Sequence, residues 1–340
     1  MAANIVWKVV KNLLFLLAGV ALLYLAFRGN DLGQLVRDIE RADYTWVGLS
    51  MVLGVGAFVA RALRWNILLE PLGHRPRVTS GIYSIIIGYL ANLAIPRIGE
   101  VTRCTVMGKA EDIAFDKLFG TVILERIIDL FMLFSLTLIT ILLKVEEFGG
   151  FFFGLISDKA ASIDNFGLYL LLAGMAALAF VVVIYTLRSR FALHPFAIKV
   201  RTFLLGLKEG LVSIRKIRNI KAFIFYTLMI WLCYYLMTWV VFYSIEETSH
   251  LNMVDGLFIL VVGGFGMAAP VQGGIGAYHL IVSMGMAVLG VESVAGLSYA
   301  TIVHTSQTIL VLVFGLVSFI LISAAPKVSS ATSTSNKPKP

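Results

Sequence analysis

An all-α polytopic membrane protein is what this sequence predicts, with about six membrane-crossing helices and two re-entrant helical hairpins. Three observations carry that reading. Of 340 residues, 59% are hydrophobic and 14% charged, whereas a soluble domain carries about 25% charged residues. The mean hydropathy of +0.89 calls for a solvent other than water. Apolar runs of about 20 residues, the length that crosses a bilayer core as a helix, recur along the chain.

The first run, residues 9–27, follows Lys8 and Lys11 as in a signal peptide, but no small-x-small cleavage site precedes Arg28, so it reads as a retained helix. Residues 31–44 mix acids, arginines and Leu/Val/Ile at helical spacing, which predicts an interfacial amphipathic helix on the outer surface. Full spans follow at 46–69, 118–143, 166–187, 222–244 and 294–322. Two regions are too short and too broken for one span each. Residues 79–95 run into Pro96 and continue as a short piece over 98–110; residues 254–269 run into Pro270 and a Gln272-Gly273-Gly274-Ile275-Gly276 break. Residues 1–325 form one integral membrane domain, and the Ser/Thr/Lys/Pro-rich stretch 326–340 reads as a disordered cytoplasmic tail.

Charge parity decides how the two broken regions enter. The 188–221 connection holds nine Lys/Arg and one acid, which places it in the cytoplasm, whereas 144–165 has two Lys and four acids and faces out. Residues 245–293 hold four acids and no Lys or Arg, so they begin outside. With Arg75 and Arg77 cytoplasmic, 79–110 must enter and return on the inner side, and 254–290 must do so on the outer side. Two ordinary spans in place of each hairpin would keep the parity; the short lengths and central Pro/Gly breaks argue for hairpins. This topology puts 20 Lys/Arg inside against 5 outside. It predicts a multi-pass protein of the inner (cytoplasmic) membrane with both termini cytoplasmic. The net +8 is then an orientation signal, and nucleic acid is not an expected partner. Two broken hairpins entering from opposite faces fit an inverted repeat that builds a site near the midplane.

Ionisable side chains inside spans are the sharper functional signal, since each costs about 2.5–3.5 kcal/mol at a helix centre. Arg61 and Arg64 share one face of 46–69, and Glu125, Arg126 and Asp129 lie in the cytoplasmic third of 118–143. Arg97, Glu100 and Arg103 come from the inner break, giving five positive and three negative groups in one layer. That set reads either as a self-neutralising network or as an anion site with surplus guanidinium; for Arg64, snorkelling to headgroups stays open. The outer half looks different, with no acidic side chain beside the polar residues of the last helix. Gln272, Tyr278 and His279 sit on or after the glycine-rich break, while Thr301, His304, Gln307 and Thr308 form one polar stripe on the last helix. No Walker A motif and no Cys/His group with metal spacing occurs, so neither cofactor nor metal is expected. Cys104 and Cys233 read as inert thiols.

Asn92-Leu93-Ala94-Ile95-Pro96-Arg97-Ile98-Gly99-Glu100-Val101-Thr102-Arg103, followed by Pro270-Val271-Gln272-Gly273-Gly274-Ile275-Gly276, resembles the lysylphosphatidylglycerol synthase transmembrane-region family. This is the flippase-like domain family, whose best-known members move aminoacylated phosphatidylglycerol between leaflets. The resemblance runs from about residue 10 to 325. It implies a lipid or lipid-linked-sugar translocase, not an enzyme, with Asn92, Pro96, Arg97, Gly99, Glu100 and Arg103 as the inner motif and Pro270, Gly273, Gly274 and Gly276 as the outer one. His279 stands where many relatives carry an acid, which leaves the usual substrate and any proton coupling open. The synthetase domain of the aminoacylating members is missing from this chain, so its cargo would come from a separate lipid-modifying enzyme.

The reading is therefore a flippase- or scramblase-like carrier of an anionic or aminoacylated lipid, its partners being a membrane phospholipid or lipid-linked substrate, with room for a homodimer. Arg97 and Arg103, helped by Arg61, Arg64 and Arg126, would receive the headgroup. Glu100, Glu125 and Asp129 would set the field or bind an amino group. Gly273, Gly274 and Gly276 would allow close approach of backbone or lipid, with Gln272, Tyr278, His279, His304 and Gln307 along the exit. Two rivals stand beside it. One is a membrane-embedded transferase on polyprenyl-phosphate sugars with Glu100 as base, and the other a non-catalytic scaffold for an envelope lipid enzyme.

Overall fold

Every described residue in regular structure is helical. The computed structural model describes residues 2–147, 149 and 217–324. The expected span at 166–187, nearly all of the basic 188–221 connection and the 326–340 tail lie outside the described residues. The chain forms two compact units, one of residues 1–144 with 217–340 and one of residues 145–216; all helices named below belong to the first.

In chain order these are α1 (Ala2–Phe27), α2 (Leu32–Arg41), α3 (Tyr44–Leu69), α4 (Val78–Ala94), α5 (Gly99–Glu111), α6 (Phe115–Leu143), α7 (Ile220–Val240), α8 (Met253–Ala268), α9 (Ala277–Val288) and α10 (Ser293–Ala324). Four stretches are long and apolar enough to cross a bilayer: Tyr44–Leu72, Phe115–Leu143, Ile220–Ser244 and Ser293–Ala324. The bent pair of α1 and α2 makes a fifth if counted as one span. On α6, Leu130, Phe134, Leu138 and Leu142 are 51–71% exposed. They follow one another at helical spacing, and so continuous an apolar stripe on a helix long enough to cross a bilayer suits a face turned to lipid. The chain is an all-α, multi-pass membrane protein.

The turn at α2 follows its chemistry. α1 and α2 meet at 91°, Gly29 takes a left-handed φ of 84°, and the Asp31 carboxylate accepts from Gly33 N (2.7 Å) and Gln34 N (3.2 Å) to cap the new helix. Leu35 tucks under it against Val294, Leu297 and Ala26, while Leu32 and Val36 remain exposed.

The main core lies where α3, α4, α5, α6 and α10 converge, around Trp65, Leu69, Ile85, Cys104, Met107, Leu118 and Leu310. The Trp65 indole N–H is satisfied there by Thr121 Oγ1 at 2.9 Å. Elsewhere helices approach through small residues, as apolar spans do when lipid tails give no hydrophobic drive to associate. A Cβ on Gly54 of α3 would lie 2.8 Å from Leu310 on α10, and one on Gly315 of α10 would lie 2.9 Å from Leu90 on α4. The long α10 is therefore a central post that touches α4, α3, α9 and α2.

Candidate functional site

Both broken regions fold as helix–break–helix pairs, α4 with α5 and α8 with α9; they are called the inner and the outer break after the side on which the charge pattern expects each to enter. Their arms are 17, 13, 16 and 12 residues long, each short of a full span.

The inner break explains half of its motif as architecture. Pro96 forces the preceding Ile95 out of the helical region, to φ −137° and ψ 121°, and so ends α4. Asn92 Oδ1 then accepts the freed Gly99 N–H at 2.7 Å. Gly99 crosses Gly88 so closely that an added Cβ would collide with the Gly88 carbonyl and the Asn92 amide. Arg97 holds a φ of 63°, a left-handed conformation rare for a side-chain-bearing residue. It is exposed, and it makes no ion pair or hydrogen bond among the described residues.

The other charges of the layer do assemble, on the three helices α3, α5 and α6. Glu125 on α6 takes Arg103 of α5 at 2.6 Å and Arg64 of α3 at 3.4 Å. Asp129, one turn further, takes Arg64 at 2.8 Å, Arg61 at 3.0 Å and Arg126 at 3.3 Å. Arg126 also approaches Glu100 at 3.9 Å. The network grades from a half-open rim at Arg126, 44% exposed, to Arg64 and Glu125 at 0%. Arg64 is thus buried and doubly paired and does not snorkel. Arg97 stays apart, so the connected set is four guanidinium groups against three carboxylates instead of five against three.

Three aromatic partners gave no signal of their own. The Tyr234 hydroxyl on α7 accepts from Arg61 at 2.8 Å, the Arg61 guanidinium lies 5.9 Å from the Tyr89 ring, and that of Arg103 lies 4.9 Å from Trp65. Tyr234 is 173 positions from Arg61, and no spacing rule connects them. Even with these partners the donors outnumber the acceptors. Arg61 Nε, Arg64 Nε and Nη1, and Arg103 Nε are buried with no hydrogen-bond acceptor among the described residues.

At the outer break, Gly273, Gly274 and Gly276 adopt φ of 56°, 77° and 79°, a path closed to most other residues. A Cβ on Gly276 would strike Gly19 of α1, and one on Gly273 would lie 2.8 Å from Leu93 at the end of α4. These glycines admit neighbouring backbone and side chain, and through Gly273 and Leu93 the two breaks touch. The His304 ring on α10 reaches the Gly273 carbonyl through Nε2 at 2.8 Å. Tyr278 and His279 on α9 are buried, their rings 5.5 and 4.8 Å from that of His304; Gln272 is buried in the same turn. The expected polar stripe on the last helix divides. Gln307 donates instead to Ser50 on α3 at 3.3 Å, and Thr301 and Thr308 bond back to carbonyls of their own helix.

The chain matches the Lysylphosphatidylglycerol synthase TM region family over residues 12–315. It is also 23% identical over 137 residues to a UPF0104 membrane protein of Methanocaldococcus jannaschii, a stretch covering 39% of this chain and 41% of that relative. No solved structure matches. With nearly its whole length matched, the chain belongs to the Lysylphosphatidylglycerol synthase TM region family.

Proposed function

We propose that this family member is a translocase that passes an anionic lipid headgroup across the inner membrane without changing it covalently, both termini facing the cytoplasm. One observation carries the reading: four buried guanidinium N–H groups without acceptors among the described residues, on Arg61, Arg64 and Arg103. They belong to a network in which four arginines face three carboxylates. A buried donor left unmade costs about 1–3 kcal/mol, more for a charged group. A phosphodiester brings the acceptor oxygens and the negative charge that this cluster is short of, in the planar geometry guanidinium favours. Arg97, exposed and without an ion pair among the described residues, is the first contact, and the half-open rim at Arg126 and Glu100 leads from it toward the buried arginines. An aminoacylated headgroup would present its ammonium to Glu100, the carboxylate held most loosely.

The test is transport of acyl-labelled phosphatidylglycerol against phosphatidylcholine in proteoliposomes, with wild type beside Arg97→Ala. Because Arg97 makes no ion pair or hydrogen bond among the described residues, Arg97→Ala should keep the melting temperature and abolish movement of the anionic lipid. Unchanged transport would remove Arg97 from the path. Transport by wild type no faster than in empty liposomes, for either lipid, would overturn the translocase reading.

A further inference from the structure

We propose that His279 and His304 together form a proton-binding site at the outer break, taking one proton between them from the outer aqueous phase. Only what the proton would drive rests on the translocase reading; the site itself stands on geometry. The imidazole ring centroids lie 4.8 Å apart, the planes tilted by 55°, so the two rings are in contact and a charge on one is felt at the other. The Gly273 carbonyl can only accept, so His304 Nε2 donates to it. In the neutral ring its Nδ1 is then a lone-pair acceptor. His279 is 5% exposed, and its Nδ1 is buried without a partner among the described residues. Each neutral ring keeps one lone-pair nitrogen, so two imidazoles in contact offer a proton a place on either. One N–H forms, the donor hydronium leaves as water, and one positive charge is shared between the rings. A second proton would put two like charges in contact, so the pair takes one.

Among the elements packed on α10, α3 carries Arg61 and Arg64, which pair with Asp129 and Glu125, and the turn Glu246–Thr248 carries Glu246 and Glu247, both exposed. On α9 the titratable neighbour is Tyr278, 6.4 Å from His279 and 5.5 Å from His304. From α1 comes the Phe27 ring, 6.2 Å from His279. α2 packs on α10 with Asp38, but that carboxylate accepts from Ser298 at 2.8 Å, and its neighbour Arg37 turns to Asp31 at 3.8 Å. The acid on α8, Asp255, is held by Lys144 at 2.9 Å. From α4 comes Leu93, against Gly273. Among the described residues, no carboxylate or cation bonds to either imidazole. The charge a proton brings is therefore the first in this site, and it strengthens the His304–Gly273 hydrogen bond by making its donor cationic. Protonation clamps α10 to the outer break, and Gly273 transmits that to the inner hairpin through Leu93.

The test needs no transported lipid, so its outcome stands whether or not transport is observed. Wild-type protein with 15N-labelled histidine, in nanodiscs of phosphatidylglycerol and phosphatidylcholine, is titrated from about pH 8 to 5, the range in which imidazoles change charge. Resonances are assigned with His279→Gln and His304→Gln. The expected result is uptake of one proton per pair, with both resonances moving together. Two independent titrations, or none across the range, would overturn the proposal. Amide exchange over 272–279 in the same samples reads the clamp. Exchange, corrected for intrinsic pH dependence, should slow about ten-fold in wild type on acidification and not in His304→Phe; equal behaviour of the two would also overturn it.

Discussion

Removing Glu125 probes the inner network at its deepest point. Its carboxylate is fully buried and holds Arg103 at 2.6 Å and Arg64 at 3.4 Å. Glu125→Ala leaves Arg103 without a counter-charge and hands Arg64 entirely to Asp129, which already serves Arg61 and Arg126. Breaking a buried pair from one side costs about 3–5 kcal/mol, because a stranded charge remains. At about 2–4 °C per kcal/mol, the melting temperature should fall on the order of 10 °C. The matched replacement Arg103→Met/Glu125→Met removes both charges and should recover most of that loss, since apolar substitution of a whole buried pair is often neutral. On the translocase reading it should be folded yet unable to transport, which separates stability from activity. The read-out is built in: Cys104 and Cys233 are buried, 0% and 6% exposed, so a thiol-reactive fluorophore brightens only as the fold opens. The reasoning is refuted if Glu125→Ala melts within about 2 °C of wild type, or if the double variant melts as low as the single one.

The remaining expectations concern packing, caps and acid. Gly99→Ala sets a Cβ against the Gly88 carbonyl and the Asn92 amide, so α4 and α5 must part; Cys104 should label faster well below the melting temperature. Gly276→Ala and Gly290→Ala share left-handed φ of 79° and 82°, and each should lose about 1–2 kcal/mol to that strain. Only at Gly276 does the Cβ meet α1, whereas Gly290 has open space, so Gly276→Ala should melt several degrees lower; equal losses would refute the α1 contact. Asp255 ion-pairs Lys144 at 2.9 Å and closes a capping box with Asn252. Asp255→Asn should abolish the salt dependence of stability at this corner, and Asp255→Ala should cost about 1 kcal/mol more through the lost cap. Hydrogen bonds from Thr45, side chain ahead of backbone, hold the exposed Asp43 carboxyl below its usual range. A depressed value means that the cap contributes fully above about pH 4 and fades as pH falls through the folded value. Amide protection at the start of α3 should fall with acid in wild type and be flat in Asp43→Asn.

The helices and their breaks are legible in the sequence because apolar run length and Pro/Gly punctuation are local signals. α4 stops at Ala94, two residues before Pro96, and α8 stops at Ala268, two before Pro270, each where the chain itself says so. The ion-pair layer is legible by type, since so many charges in apolar surroundings must find one another, but not by partner. Nothing in the spacing tells that Arg64 bridges Glu125 and Asp129 while Arg97 joins neither, because the left-handed bend at Arg97 belongs to the tertiary path of the hairpin. Tyr234 and Tyr89 are invisible for the same reason: a tyrosine in a span reads as packing until the fold sets it beside Arg61. Gln307 follows His304 on the polar stripe, yet three residues turn its side chain toward α3 instead of the break.

The two breaks use the same backbone device for opposite chemistry. In the inner one, Asn92 and Gly99 let α5 cross α4 and carry Arg103 into a layer of buried charge. In the outer one, three left-handed glycines pass between α1 and α4 and deliver a bare carbonyl to His304. On the translocase reading, an anion leaving the first site would find no fixed positive charge at the second among the described residues, so affinity alone would hold it at the first. On the translocase reading, release outward therefore needs the outer site to change its charge, and the imidazole pair is the group there able to do so. Because Gly273 rests on Leu93, that change reaches the inner hairpin through direct contact, and α10, packed on Leu90 at one point and bonded to Gly273 at another, ties both breaks to a single rigid element.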